Sequence, residues 1–152
     1  MDDDRTPDDV AREIIDGSLY MVLGTADRDG RPWATPVYYA PSGYREFFWV
    51  SHPAATHSRN IAAREDVAIV IFDSSVPIGD GQGVYMSALA TELAPDERAE
   101  GIEIFSRRGV AHGGSAWTVE DVGPSARHRL YRATATAHYI LDEGDNRTPV
   151  SP

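Results

Sequence analysis

Residues 30–72 read GRPWATPVYYAPSGYREFFWVSHPAATHSRNIAAREDVAIVIF, and this stretch carries the clearest structural pattern in the chain. Its pattern predicts two strands joined by a turn, then a short helix entered through polar residues, then a buried apolar strand. Hydroxyls, an imidazole and a guanidinium gather where that helix begins, at Thr56, His57, Ser58, Arg59 and Asn60. The unpaired N–H groups and dipole of a helix N-terminus favour an anion, so a phosphate-bearing ligand is one interpretation. The alternative is that Thr56 or Ser58 caps the helix while Arg59 lies in solvent.

Outside this stretch, the pattern predicts more strands than helices. Alternating or continuous apolar runs predict strands at residues 19–25, 33–39, 47–51, 67–72, 84–93 and 129–141. Helices are predicted from Thr6-Pro7, from Ala54 and from Pro95. Six short strands with hairpin-like connections predict a mainly β fold, an antiparallel barrel or strongly curled sheet with few helices.

Length and charge limit the organisation and the partners. The 152 residues predict one domain at residues 9–142, with a mobile acidic tail at 1–8 and a mobile tail at 143–152. Cysteine is absent, which excludes disulfides and thiolate metal sites. A net charge of −10 argues against nucleic acid or an anionic membrane as a partner. The N-terminus has no signal-peptide pattern and no apolar run reaches membrane-spanning length, so a cytoplasmic location is predicted.

Other candidate chemistry is less specific. The proline in Thr35-Pro36-Val37-Tyr38 indicates an edge or bulge, where a flat ligand could approach the backbone or where proline only prevents aggregation. Aromatic residues such as Trp117 could stack on a ligand ring, or could belong to the core. The five histidines lack the spacing of a zinc site, although a lone histidine could bind haem iron. No residue is identified as a catalytic acid or base.

Four blocks in order carry a resemblance to a known family: LGTADRDGRPWATPVYYA, FFWVSHPAATHSRNIAAREDVAIVIF, GVYMSALATEL and RLYRATATAHYIL. Together they resemble the pyridoxamine 5′-phosphate oxidase-like, FMN-binding split-barrel family over residues 9–142. The resemblance implies a six-stranded antiparallel split barrel of the flavin-binding type. It also implies a homodimer with the cofactor at the subunit interface.

The resemblance also implies which residues bind the cofactor. The second strand would lie along the flavin ring at Thr35, Pro36, Val37 and Tyr38, and the third would contribute Val50 and Ser51. Thr56 and His57 would hold the phosphate, with Ser58, Arg59 and Asn60 adjacent. Gln82, before the fifth strand, would approach the cofactor, and Trp117 would cover the ring from the same or the partner subunit.

The sequence departs from the oxidases that act on pyridoxamine phosphate. In those enzymes, cationic residues occupy the positions of Thr35, Ala40, Thr56 and His57, and of these only His57 can carry charge here. The basic C-terminal motif has no counterpart either. The expectation is therefore an FMN- or F420-dependent oxidoreductase with an unidentified small-molecule substrate, not a vitamin B6 oxidase. The alternative is a non-catalytic flavin- or haem-binding or storage module on the same fold.

Overall fold

The computed structural model describes residues 4–152, which form one curled antiparallel sheet with three α-helices. Within these residues the sheet has eight strands, β1 (Tyr20–Ala26), β2 (Pro32–Tyr38), β3 (Ala40–Ser42), β4 (Glu46–Ser51), β5 (Asp66–Phe72), β6 (Gly83–Glu92), β7 (Arg129–Leu141) and β8 (Arg147–Val150). The helices are α1 (Pro7–Gly17), α2 (Thr56–Ala63) and α3 (Arg98–Ala111). A 3₁₀ turn follows at Val119–Val122.

The predicted fold class is confirmed, and the number of strands differs from the prediction. The strands are hydrogen-bonded in the order β2-β1-β5-β6-β7-β4-β3, and β8 also pairs with β7. Every pairing is antiparallel. The six longer strands are the six that the sequence predicts. The two additional strands, β3 and β8, are short and each contains a proline, which obscures a strand pattern.

The main core fills the concave side of the curled sheet. Alternate residues of the strands point inward, as in β5, where Val67, Ile69 and Ile71 are buried between exposed or half-buried neighbours. The largest fully buried side chains are Trp49, Tyr39 and Phe47. Trp49 stacks on Tyr131 from the paired strand β7, with ring centroids 5.7 Å apart.

A second, smaller core lies between α3 and the other face of β4. It contains Phe48, Leu93, Ile102, Phe105 and Leu130. Gly101 brings α3 close to this face, because a Cβ at this position would lie 2.8 Å from Leu93 Cδ2 and 3.0 Å from Leu130 Cδ2. A side chain at this position would force the ends of these leucines to move, so glycine allows α3 to approach the sheet this closely.

Arg108 of α3 connects three parts of the chain. Its guanidinium donates hydrogen bonds to the carbonyl oxygens of Ser18 (2.7 Å) and Tyr39, and it lies 4.7 Å from the centroid of the Tyr39 ring. It also approaches the carbonyl of Ile15 at the C-terminal end of α1. No basic residue of α1 itself lies in its last turn, so Arg108 supplies the cation that the C-terminal helix dipole favours.

The chain ends differ in part from the tails predicted from the sequence. Residues 1–3 of the predicted N-terminal tail lie outside the described residues. Thr6 caps α1 through a capping box with Asp9, so Pro7 and Asp8 belong to the helix. At the other end, β8 pairs with β7, and the Ser151 N–H donates to Asp8 Oδ1 (2.8 Å), so this segment is not a free tail.

A search for membrane spans among residues 4–152 finds no helix with the length and apolar character needed to cross a bilayer.

Candidate functional site

The N-terminus of α2 has no side-chain cap. The chain leaves β4 at Ser51, and α2 begins at Thr56 with Ala55 as its N-cap residue. Ala55 cannot cap through a side chain, and the first turn of α2 contains no acidic residue. Neither Thr56 nor Ser58 caps this helix. In α1, by contrast, Thr6 and Asp9 cap the N-terminus. The N–H groups of this turn therefore face no competing carboxylate from their own helix.

His57 and Ser51 form a polar pair beside this helix start. Ser51 Oγ and His57 Nε2 are 2.8 Å apart, and Ser51 is buried. Burial lowers the pKa of His57 from its ordinary value, so the imidazole is neutral at pH 7. The pair therefore offers a neutral hydrogen-bonding edge, and its tautomer decides which atom donates.

The next residues of α2 face different surroundings. Ser58 is buried, and its hydroxyl makes no hydrogen bond of regular geometry within the described residues. It lies close to Tyr131, where burial raises the pKa of the phenol and the Ser58 hydroxyl acts in the opposite direction. Asn60 is also buried, and its Nδ2 donates to Thr25 Oγ1 (3.0 Å), so this amide ties α2 to β1.

Arg59 is the cation at this helix start. Its side chain is exposed and makes no hydrogen bond or ion pair with any residue of 4–152. It is the fourth residue of α2 and two residues after His57, so the two side chains leave the helix on different sides. Thr56 and His57 are half-buried at the helix start and Arg59 is exposed, whereas Ser58 and Asn60 are buried.

Strand β2 forms one edge of the sheet. Among the described strands it pairs only with β1, which confirms the edge position that Pro36 indicates. Thr35 is half-buried and Pro36 exposed, whereas Val37 belongs to the main core. An edge strand leaves some of its backbone N–H and C=O groups unpaired within the sheet.

Tyr38, Val50 and Trp117 come together on the α3 side of the sheet. All three pack against the second core. The Tyr38 hydroxyl lies 2.8 Å from His112 Nδ1, and burial raises the pKa of Tyr38. Trp117 contacts Phe105 edge to face, and its backbone N–H donates to Ser106 Oγ. These rings border a cavity of about 230 Å³.

Sequence reasoning did not assign His112 to the site. The His112-Gly113-Gly114 segment ends α3, because its N–H groups donate to the carbonyls of Arg108, Gly109 and Val110. Gly113 has a φ of +87°, which is typical of a residue that ends a helix. The glycines directly after the helical pattern were the available signal.

Gln82 makes its hydrogen bonds away from the start of α2 and away from the residues on the α3 side of the sheet. Its Nε2 donates to the Leu141 carbonyl (2.8 Å), and its Oε1 accepts from the N–H groups of Leu141 and Gly83. Within residues 4–152 no hydrogen bond joins it to α2 or β2. Its predicted approach to a cofactor remains a prediction.

Among the described residues, no group of three or more His, Asp or Glu side chains is placed to hold a metal ion.

Comparison with protein families gives one match over most of the chain. The sequence model described as "Pyridoxamine 5′-phosphate oxidase" matches residues 7–141. A comparison with curated proteins found no match.

Solved structures share the fold at low identity. A heme binding protein from Mycobacterium smegmatis superposes with a TM-score of 0.76 at 17% identity, covering 97% of this chain and 58% of its own. HutZ, the heme storage protein from Vibrio cholerae, superposes with a TM-score of 0.69 at 15% identity, covering 86% of this chain and 91% of its own. An F420 reductase superposes with a TM-score of 0.58 at 20% identity, covering 79% of this chain and 88% of its own. This chain therefore spans little more than half of the M. smegmatis protein, and the likeness to all three is one of fold.

Proposed function

The chain belongs to the pyridoxamine 5′-phosphate oxidase family, and from that premise we propose that it is an oxidoreductase that uses FMN or the deazaflavin F420. The observation that carries the proposal is the N-terminus of α2, which has no side-chain cap and no acidic residue in its first turn, and whose His57 pairs with Ser51. Such a cofactor supplies hydride transfer when it is bound. The protein contributes binding, orientation and exclusion of water.

The cofactor phosphate would be held at the start of α2. Backbone N–H groups of the first turn, the Thr56 hydroxyl and the His57 imidazole can donate to phosphate oxygens there. Arg59, with no partner among the described residues, adds a full positive charge. The proposed site needs this local cation, because the net charge of −10 repels an anion.

The ring system would lie along β2, where the unpaired edge and Pro36 leave room for a flat molecule. FMN and F420 both carry a phosphate, so the helix start fits either of them. The likeness to an F420 reductase supports the deazaflavin alternative. Thr35, Ala40 and Thr56 are uncharged, and the buried Ala40 offers no group to a phosphorylated substrate, so we do not propose a vitamin B6 oxidase.

We also propose that two copies form a homodimer through the convex face of β5 and β6. Phe72 (50% exposed) and Leu89 (43% exposed) lie on this face, with the small residues Ala68 and Ser87 between them. Cross-strand register places all four on one side of the sheet. Asp66, opposite Leu89, is an exposed charged residue on the same face. Exposed apolar side chains such as Phe72 and Leu89 are typical of an interface with another protein surface.

The double replacement Phe72→Asp with Leu89→Asp should convert the dimer to a monomer. Two carboxylates on each copy would be buried without partners in a symmetric interface, which is strongly unfavourable. Light scattering after size-exclusion chromatography measures the mass. Val110→Asp is the matched control, because Val110 is equally exposed (51%) but lies on α3. A wild-type monomer at micromolar concentration would contradict the proposal.

The proposed phosphate site is tested by His57→Ala and Arg59→Ala. Each change removes one donor to the phosphate, so each should weaken FMN or F420 binding by about ten-fold. Titration of the purified protein, followed by cofactor fluorescence, measures both affinities. Arg64→Ala at the other end of α2 is the control, because Arg64 donates to the Arg28 carbonyl and should leave the affinity unchanged. Unchanged affinity in both test variants would overturn this site.

The cofactor affinity measured in this titration should depend on pH. Burial lowers the pKa of His57 below 6.5, and a bound phosphate would favour its protonated form. The affinity of the wild-type protein should therefore rise as the pH falls from 7.5 to below 6.5. Because the phosphate of FMN itself titrates at about pH 6, the effect is measured as the difference between the wild type and His57→Ala at each pH, and the variant should lack the contribution of the imidazole.

The alternative proposal is a module that binds flavin or haem without catalysis. The likeness to a heme binding protein and to a heme storage protein supports it. The spectrum of the purified protein distinguishes the cases, since flavin gives a yellow protein and haem a Soret band. The cytoplasmic location remains a proposal from the sequence.

A further inference from the structure

The cavity of about 230 Å³ beside α3 has mainly aromatic walls. Tyr38 lies at its centre and meets Tyr20, Phe105 and His112 edge to face, with centroids 5.6 to 6.0 Å apart. Trp117 closes one side through an edge-to-face contact with Phe105. These contacts hold the rings in fixed orientations.

Two glycines contribute to the space. Gly109 and Gly114 line the cavity and have no side chains to fill it. A Cβ at Gly109 would lie 4.0 Å from Tyr38 Cε1, in ordinary contact with the cavity wall. A larger side chain at this position of α3 would therefore occupy the cavity without clashing with the backbone.

The lining is uncharged. Among the described residues that border the cavity there is no Asp, Glu, Arg or Lys, and its polar side chains are phenols, the His112 imidazole and the Ser115 hydroxyl. The nearby Arg108 guanidinium is already engaged by backbone carbonyls. The cavity is partly open, since Leu19 and Tyr20 at its edge are exposed. A charged ligand would still lose part of its hydration without gaining an opposite charge, so the lining favours a neutral molecule.

The size and shape of the cavity limit the ligand further. An apolar cavity of about 150 Å³ can hold benzene, so one of 230 Å³ accommodates a single substituted ring or two fused rings. Aromatic walls favour a planar ring, which can make offset or edge-to-face contacts with them. The Tyr38 hydroxyl, held 2.8 Å from His112 Nδ1, is positioned to pair with a polar substituent.

We propose that this cavity binds a neutral, planar aromatic molecule with one hydrogen-bonding substituent, which the Tyr38 hydroxyl orients. That this molecule is the substrate of the oxidoreductase rests on the proposed function. Binding itself does not depend on that function, so it is tested on the full chain without cofactor.

The probes are p-cresol and indole, compared with cyclohexanol, toluene and phenyl phosphate. Chemical-shift titration of the protein by NMR should show p-cresol and indole binding about ten-fold more tightly than cyclohexanol and phenyl phosphate. Equal or tighter binding of phenyl phosphate would overturn the neutral-ligand proposal.

Two variants localise the binding. Gly109→Val fills the cavity and should abolish the p-cresol shifts, whereas Ala111→Val, at an exposed position of the same helix outside the lining, should not. A cooperative thermal unfolding transition in each variant is the control that both proteins fold. Tyr38→Phe should remove the preference for p-cresol over toluene, a ratio that a purely structural role would leave unchanged.

Competition between p-cresol and the cofactor tests whether the cavity is distinct from the proposed cofactor site. Tyr38 and Trp117 are assigned to the aromatic ligand and the flavin ring is limited to Thr35, Pro36 and Val37 of β2, so saturating FMN or F420 should leave p-cresol binding in place. Displacement of p-cresol by the cofactor would show that the flavin ring itself occupies the cavity and would overturn the proposal. Failure of both cofactors to bind would refute the proposed function alone, since p-cresol binding would still be measurable.

Discussion

Replacing Arg108 with alanine should lower the midpoint of thermal unfolding by about 10 °C, from a loss of about 3 kcal/mol in a domain of this size. The guanidinium donates to the carbonyls of Ser18 and Tyr39 and lies over the Tyr39 ring. Hydrogen bonds from a charged donor contribute about 1.5 to 3 kcal/mol each, and removing the donor leaves half-buried carbonyls unpaired. The cation at the C-terminus of α1 would also be lost.

Arg107→Ala is the matched control on the neighbouring position of α3. Arg107 pairs with Glu103 at 3.0 Å, but both side chains are more than 70% exposed. An exposed ion pair of this kind contributes little, so the unfolding midpoint should change by about 1 °C or less. Equal effects in the two variants, measured by calorimetry, would show that the buried contacts of Arg108 do not stabilise the fold.

Replacing Gly101 with valine should lower the free energy of unfolding by about 3 kcal/mol. The new Cβ would lie 2.8 Å from Leu93 Cδ2 and 3.0 Å from Leu130 Cδ2, and both leucines are buried. The branched side chain must then displace α3 from β4 or force these leucines from their rotamers, and overpacking of this kind is typically costly. Denaturant unfolding, with a constant m-value, measures the change.

Ala99→Val separates packing from helix propensity. Ala99 is exposed on the same helix, so valine there costs only the difference in propensity, about 0.5 kcal/mol. If Gly101→Val were no more destabilising than Ala99→Val, the close approach of α3 to β4 would not constrain this position.

The longer elements could be predicted because their signals are local. Thr6 and Asp9 form the capping box that begins α1, and β7 spans Arg129–Leu141 as its apolar pattern predicts. The strands β3 and β8 were not predicted. Pro41 and Pro149 argue against a strand, and only pairing with β4 and β7 forms these two.

The position of α2 could be predicted from the sequence, and the contacts of its residues less well. The start of α2 was expected to offer donors to an anion, and its missing cap is consistent with that expectation. The inward direction of Asn60 depends on Thr25, which is 35 residues away in the sequence. Arg108 was not singled out, because its partners are backbone carbonyls, which have no sequence signature.

The Arg108 contacts also bear on the order of folding. They join residues about 90 positions apart, so most of the chain must be ordered before they can form. Closing so long a loop is slow relative to local pairing such as β1 with β2, which a turn of a few residues joins. We therefore expect α1 to dock late in folding and to open first in the native state, and Arg108 to slow unfolding rather than accelerate folding.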